Sequence, residues 1–212
     1  MLQSVVRAPK TAQDINTGVR LARMHGKDIT LADVARVLRT AGIRYVVVGA
    51  HAANGYTGRP RTTIDVDVIV QFPKKAAKAV AAAFPNLVMR DTPAVIRFMA
   101  GEDEAIDLMK PIGSKLWARL LKETRRVIVD GESVHIPALE GVLAAKFAAM
   151  ASPHRRVIDK QQDGVDFGRI VEANKKIDLQ QLEQLGNLVY AGGGSAVVKL
   201  VTDARAGRRL EF

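Results

Sequence analysis

The stretch RTTIDVDVIV, residues 61–70, decides how this chain is read. Its β-branched run is that of a buried strand, yet Asp65 and Asp67 stand one residue apart within it. Side chains alternate along a strand, so Ile64, Val66, Val68 and Val70 share one face while Asp65 and Asp67 share the other, about 7 Å apart. Two like charges side by side in an apolar strand lose hydration and repel each other. They call for a counter-charge, and a bound cation is the simplest one.

Working outward, residues 44–48 (RYVVV) form a short apolar strand that ends at Gly49-Ala50, and HAANGYTG reads as a short helix broken at Gly58-Arg59-Pro60. Upstream, Thr30 caps a helix carrying Leu31, Val34, Ala35 and Leu38 at helical spacing, with Gly42 as its stop. Downstream, PKKAAKAVAAAF is a helix with proline in its first turn. LVMRD, AVIRFMA and AIDLM then read as strands with a charged turn at GEDE. In the last of them Asp107 sits between Ile106 and Leu108, a third carboxylate in an apolar strand.

A helix over residues 114–125 (SKLWARLLKETR) and a hairpin turning at Asp130-Gly131 follow. From Leu139 the pattern is helical, in pieces over residues 139–151, 157–174 and 178–190, with Gly192-Gly193-Gly194 as a hinge before the last helix. The expected fold class is α/β (α+β): a small mixed sheet flanked by helices, with a C-terminal helical lobe. The expected organisation is an N-terminal extension over 1–30, a core over 31–137 and the helical lobe over 138–212.

Composition narrows the chemistry. The absence of cysteine excludes a disulfide framework and a thiolate nucleophile, and the scattered histidines give zinc no support. There is no apolar run near the roughly 20 residues that a membrane helix needs, and the start MLQSVVRAPKTAQ lacks a signal-peptide layout, so a cytoplasmic protein with no membrane partner is expected. Lys and Arg number 32 against 22 Asp and Glu, a formal charge of +10 that attracts polyanions such as RNA or nucleotides.

Three strand carboxylates beside a glycine turn have one chemistry in common. Mg²⁺ or Mn²⁺ ions take oxygen ligands, and a pair of them can serve both the attacking and the leaving oxygen of a phosphoryl transfer. Asp65 and Asp67 are the expected ligands, with Asp107 completing the site on the acceptor side. Gly49 and Ala50 would let backbone N–H groups approach a triphosphate at a helix N-terminus; Arg59 and Arg61 would neutralise phosphate, and Thr63 shares the aspartate face.

These residues carry a resemblance. VVVGAHAANGYTGRPRTTIDVDVIV resembles the signature of the nucleotidyltransferase superfamily related to DNA polymerase β: a glycine turn, a short helix, then Arg-x-Thr-x-Asp-x-Asp. LEGVLAAKFAAM with DKQQDGVDF resembles the helical region of its minimal, AbiEii-like toxin branch. The resemblance spans residues 31 to about 172. It implies catalytic and metal-binding roles for Asp65, Asp67 and Asp107, nucleotide contacts for Gly49, Ala50, Arg61, Thr63 and Lys146, and an Asp163/Asp166 pair in the helical region. It further implies transfer of a nucleoside monophosphate from an NTP to a hydroxyl acceptor, with tRNA favoured by the charge and protein or a small molecule as other acceptors, in a toxin-antitoxin or phage-defence setting with an antitoxin protein as partner. Ala50 stands where the family has Gly or Ser, and Gln162 where it has Lys. Both leave open a catalytically inactive nucleotide- or RNA-binding module of the same fold.

Overall fold

The structure, a computed structural model, describes residues 7–24 and 29–211. Helix α1 (Arg7–Met24) lies inside the expected N-terminal extension and buries Ile15 and Val19 in the core. Helix α2 (Leu31–Thr40) begins as the sequence predicts: the Thr30 hydroxyl accepts from Asp33 N–H at 3.3 Å while the Asp33 carboxylate accepts from Thr30 N–H at 3.0 Å. This reciprocal box satisfies two backbone donors that the first turn leaves unpaired.

Then follow β1 (Tyr45–Val47), α3 (Gly49–Thr57), β2 (Val66–Val70), α4 (Pro73–Ala83), β3 (Val88–Asp91), β4 (Val95–Ala100) and β5 (Asp103–Met109). The strands form a five-stranded sheet in the order β1-β2-β5-β4-β3. Strands β2 and β5 run parallel, and the other neighbours are antiparallel. This is the mixed sheet expected from the alternating patterns. Period-two burial sorts the strands between two cores. Tyr45, Val47, Val66, Val68, Val70, Ile106 and Leu108 pack with α1, α2 and α4, whereas Val46 and Ile69 face the C-terminal helices.

The expected strand over 61–70 starts later, at Val66. Asn54 of α3 grips the backbone of Arg61 from both sides, accepting from its N–H at 3.0 Å and donating to its carbonyl at 2.8 Å. That grip holds Arg61 to α3, and pairing with β5 begins only at Val66 opposite Ile106. Ile64 is consequently 44% exposed instead of sharing the core face.

Helix α5 (Lys115–Leu120) is shorter than the predicted 114–125, because Thr124 is drawn into a hairpin of β6 (Thr124–Val129) and β7 (Glu132–Pro137). Its turn is Asp130-Gly131, both residues left-handed, as the sequence predicts. Val127, Val129, Val134 and Ile136 of the hairpin bury against the first core.

The C-terminal part is four helices among the described residues: α6 (Leu139–Ala151), α7 (Val157–Ala173), α8 (Leu179–Asn187) and α9 (Gly193–Arg205). The glycine run is a packed crossing, not a flexible hinge. A Cβ on Gly186 would stand 2.7 Å from the Gly193 carbonyl oxygen, and one on Gly193 would stand 2.4 Å from that of Gly186. Backbone meets backbone there, so no side-chain rotation can relieve a substitution. Gly186→Ala should therefore lower stability by about 1–3 kcal/mol in urea denaturation, the range for overpacking a closed contact.

Candidate active site

Register places the charged groups before any side chain is considered. Asp67 of β2 lies opposite Asp107 of β5, and Asp107 lies opposite Arg97 of β4, so the three form one row across the sheet. Asp65 precedes the strand, and the Thr63 hydroxyl donates to its carboxylate at 2.5 Å. Arg97 holds Asp107 with a two-pronged grip, Nε to Oδ1 at 2.8 Å and Nη2 to Oδ2 at 2.7 Å, and also pairs with Glu104.

Asp67 is the strained member of the row. Burial pushes its carboxyl well above the ordinary value, and the charges of Asp65 and Asp107 push it further; Lys146 and Arg155 oppose them more weakly. The backbone of Gly49 is pressed against it: a Cβ there would stand 1.8 Å from Asp67 Oδ2, and Gly49 also has φ +60°. Two independent constraints thus demand glycine at the start of α3. The donors are all carboxylate oxygens, the chemistry of a hard divalent cation, and Asp67 lacks the positive charge that such an ion supplies. Asp65, Asp67 and Asp107 are therefore the residues that could hold it. Thr63 and Arg97 engage the outer two carboxylates, and among the described residues no three His, Asp or Glu side chains stand as a preformed metal site.

Beside this row lies a buried ionic knot. Lys146 of α6, only 4% exposed, donates to Asp163 at 2.9 Å and to Asp166 at 2.7 Å, both from α7. Arg61 donates to both oxygens of Asp166 at 3.1 and 3.0 Å, and Arg155 donates to Asp163 at 2.6 Å. Burial would raise the Asp166 carboxyl, but Lys146 and Arg61 outweigh it and hold it below the ordinary value. Asp163 and Asp166, three apart on one helix face, are thus internal counter-ions to Lys146 and not surface charge.

Seven of the eight expected site residues, Gly49, Ala50, Arg61, Thr63, Asp65, Asp67 and Lys146, line one cavity of about 300 Å³. Asp107 stands one strand over. Arg61 and Lys146 reach the cavity wall with their charged ends committed to the knot. His51 is buried, its Nδ1 without a hydrogen-bond partner among the described residues and its pKa pushed down to about 4 chiefly by burial, so it is neutral at pH 7. A larger cavity of about 830 Å³ opens beyond Ile64 and contains none of the three carboxylates.

Sequence reasoning passes over Arg97, Arg155 and Asn54. The signal for Arg97 is present in the sequence, an arginine inside the apolar VIRFMA. Arg155 counts there only as basic charge, and nothing local distinguishes Asn54.

No family model matches the sequence, and no curated protein does. Solved structures do. The solution structure of the antibiotic-resistance factor ANT(2'')-Ia matches with a TM-score of 0.50 at 11% identity, over 90% of this chain and 100% of that one. An antigenic nucleotidyltransferase-like protein from Paracoccidioides brasiliensis matches with a TM-score of 0.48 at 15% identity, over 89% and 94%. The five-stranded mixed sheet with its flanking helices is the nucleotidyltransferase fold.

Two outcomes follow for stability. Asp166→Ala strips Arg61 and Lys146 of a shared partner, and urea denaturation should register a loss of about 3–5 kcal/mol. Asp67→Asn should act in the opposite direction. A raised folded-state carboxyl value means that ionisation costs the folded form stability as pH climbs from the unfolded value through the folded one. The amide removes that cost, so at neutral pH without divalent cation the variant should melt several degrees above the wild type. Added Mg²⁺ should then raise the wild-type melting temperature and leave the variant's unchanged.

Proposed function

We propose that the protein is a nucleotidyltransferase that binds an NTP with Mg²⁺ or Mn²⁺ and moves the nucleoside monophosphate to a hydroxyl acceptor. The observation that carries this reading is the juxtaposition of Asp65 and Asp67 with the tight Gly49 turn in the wall of one cavity, with Asp107 opposite Asp67 on the neighbouring strand, inside a fold of this class. Asp65 and Asp67 would hold the divalent cations, with Asp107 on the acceptor side. When bound, the cations would supply charge neutralisation at the phosphates and a lowered pKa at the acceptor hydroxyl.

The acceptor oxygen forms a bond to the α-phosphorus as the bond from that phosphorus to the β-bridging oxygen breaks, and pyrophosphate leaves. The acceptor proton passes to a carboxylate, for which Asp107 is placed in the row beside Asp67. The N-terminus of α3, at Gly49 and Ala50, offers backbone donors to the triphosphate. Thr63 orients Asp65. Arg61 and Lys146 act from the knot as fixed positive charge, their hydrogen bonds already made.

The formal charge of +10 supports a polyanionic acceptor, and tRNA is the favoured one; a protein hydroxyl or a small molecule would use the same chemistry. Residues 31–137 are read as the catalytic core and 138–212 as the helical lobe. The Lys146, Asp163 and Asp166 pattern supports placement with the AbiEii-like toxin branch, with an antitoxin protein as partner.

Incubation with each α-labelled NTP and Mg²⁺ or Mn²⁺, in the presence of total tRNA or a cell lysate, should put label into an acceptor pool for the wild type and not for Asp65→Ala/Asp67→Ala. Absence of label from every pool, with RNA binding undiminished in the double variant, would instead identify a binding module that has the fold without turnover.

A further inference from the structure

Arg97 of β4 holds two carboxylates at once. Its Nε and Nη2 donate to the two oxygens of Asp107 at 2.8 and 2.7 Å, while Nη1 pairs with Glu104. A strand irregularity makes the second contact. Glu104 and Asp107 lie three apart in β5, and on a regular strand they would point to opposite faces. Between them the ladder steps from Phe98 opposite Ile106 to Met99 opposite Glu104, which leaves Ala105 without an opposite residue. Such a bulge re-aims a side chain, and here it brings Glu104 to the guanidinium that already grips Asp107. The two carboxylates differ in freedom, since the Asp107 side chain is 10% exposed and that of Glu104 is 43% exposed. Glu104 also lines the cavity of about 830 Å³, so there is open space on its side of the arginine.

This grip competes with the cation that the reaction requires. A divalent ion at Asp107 would share that carboxylate with a guanidinium at hydrogen-bond distance, and like charges so close in a partly buried site repel strongly. We propose that Arg97 is a positioning residue with two seats: it covers Asp107 while the carboxylate row is empty and withdraws to Glu104 when a divalent cation takes Asp107. The assignment rests on the reading of Asp107 as a cation ligand given above. Nη1 keeps its bond to Glu104 throughout, so the exchange is a turn of one guanidinium and leaves the pairing of β4 with β5 intact. Glu104 thereby lowers the cost of releasing Asp107. Without that second seat, the incoming cation has to strip Asp107 from an arginine left with one carboxylate fewer to receive it.

The test is the affinity for Mn²⁺ alone, read from the free-ion electron paramagnetic resonance signal, so that turnover plays no part; only binding that Asp65→Ala/Asp67→Ala abolishes is counted. Glu104→Gln should weaken Mn²⁺ binding by roughly three- to thirty-fold when Arg97 is present. In the Arg97→Met background, where no guanidinium has to move, the same change should alter it by no more than about two-fold. Arg97→Met alone should tighten Mn²⁺ binding by roughly three- to thirty-fold. Arg97→Lys, which keeps the charge but cannot span both carboxylates, should give intermediate values for both effects and supplies a second background that retains a partner for Asp107. Equal weakening by Glu104→Gln in every background would overturn the proposal, leaving Glu104 as a plain source of negative charge. Looser Mn²⁺ binding in Arg97→Met would also overturn it, by making Arg97 a fixed support of Asp107, and so would an unchanged affinity in Glu104→Gln alone. Absence of such binding in the wild type and in every variant would overturn the reading of the row as a cation site, and the proposal with it.

Discussion

The buried contact between Lys146 and the two aspartates of α7 is the interaction on which the rest of the site depends. Lys146 comes from the centre of α6, Asp163 and Asp166 from α7, and Arg61 from the segment that leads into β2. Two consecutive helices and a segment about a hundred residues earlier are thereby joined at one point, and the join sits directly beside the carboxylate row. A buried ion pair gains little net stability, since desolvation offsets much of the attraction, but breaking one is expensive. What such a knot provides is position. It sets how far the helical part stands from the sheet, and hence the width of the cavity between them.

The knot also has a sign. Three cations, Arg61, Lys146 and Arg155, share two anions, Asp163 and Asp166, which leaves a surplus of positive charge facing Asp65 and Asp67. Across the sheet, Arg97 does the same for Asp107. Asp67 lies between these two arrangements with its burial and its carboxylate neighbours only partly offset by Lys146 and Arg155, and its raised pKa expresses that. A site arranged in this way resists ionisation when empty and gains most when a cation arrives, the usual relation between stored electrostatic cost and binding.

Much of the fold was legible because its signals are local. The Thr30 cap, the Asp130-Gly131 turn and the alternation of Val66, Val68 and Val70 each depend on residues within one element. The candidate site was legible for the same reason, since Gly49 and the Asp65/Asp67 pair belong to one short stretch, and Asp107 stands out against its apolar neighbours. What was not legible is contact over distance. The grip of Asn54 on Arg61 removes Asp65 from the strand, yet alternation alone continues the strand to residue 61. Arg97 gains its meaning only when β4 pairs with β5 in a register that puts it opposite Asp107. The Gly192-Gly193-Gly194 run carries the same composition as a flexible linker, and only the approach of α8 makes it a packing surface.

The placement of Asp65 outside the strand changes what the Asp-x-Asp pair can do. On a regular strand both carboxylates would be fixed by the pleat, about 7 Å apart and pointing the same way. Here only Asp67 is fixed by the sheet, while Asp65 belongs to a loop whose backbone hangs from Asn54 and whose side chain hangs from Thr63. One carboxylate is rigid and the other is held by hydrogen bonds that can be exchanged. Such a pair can close on a cation by moving Asp65 alone, with no cost to the sheet. Thr63 then has a physical task distinct from touching phosphate: it holds Asp65 near its position until a stronger partner takes the carboxylate over.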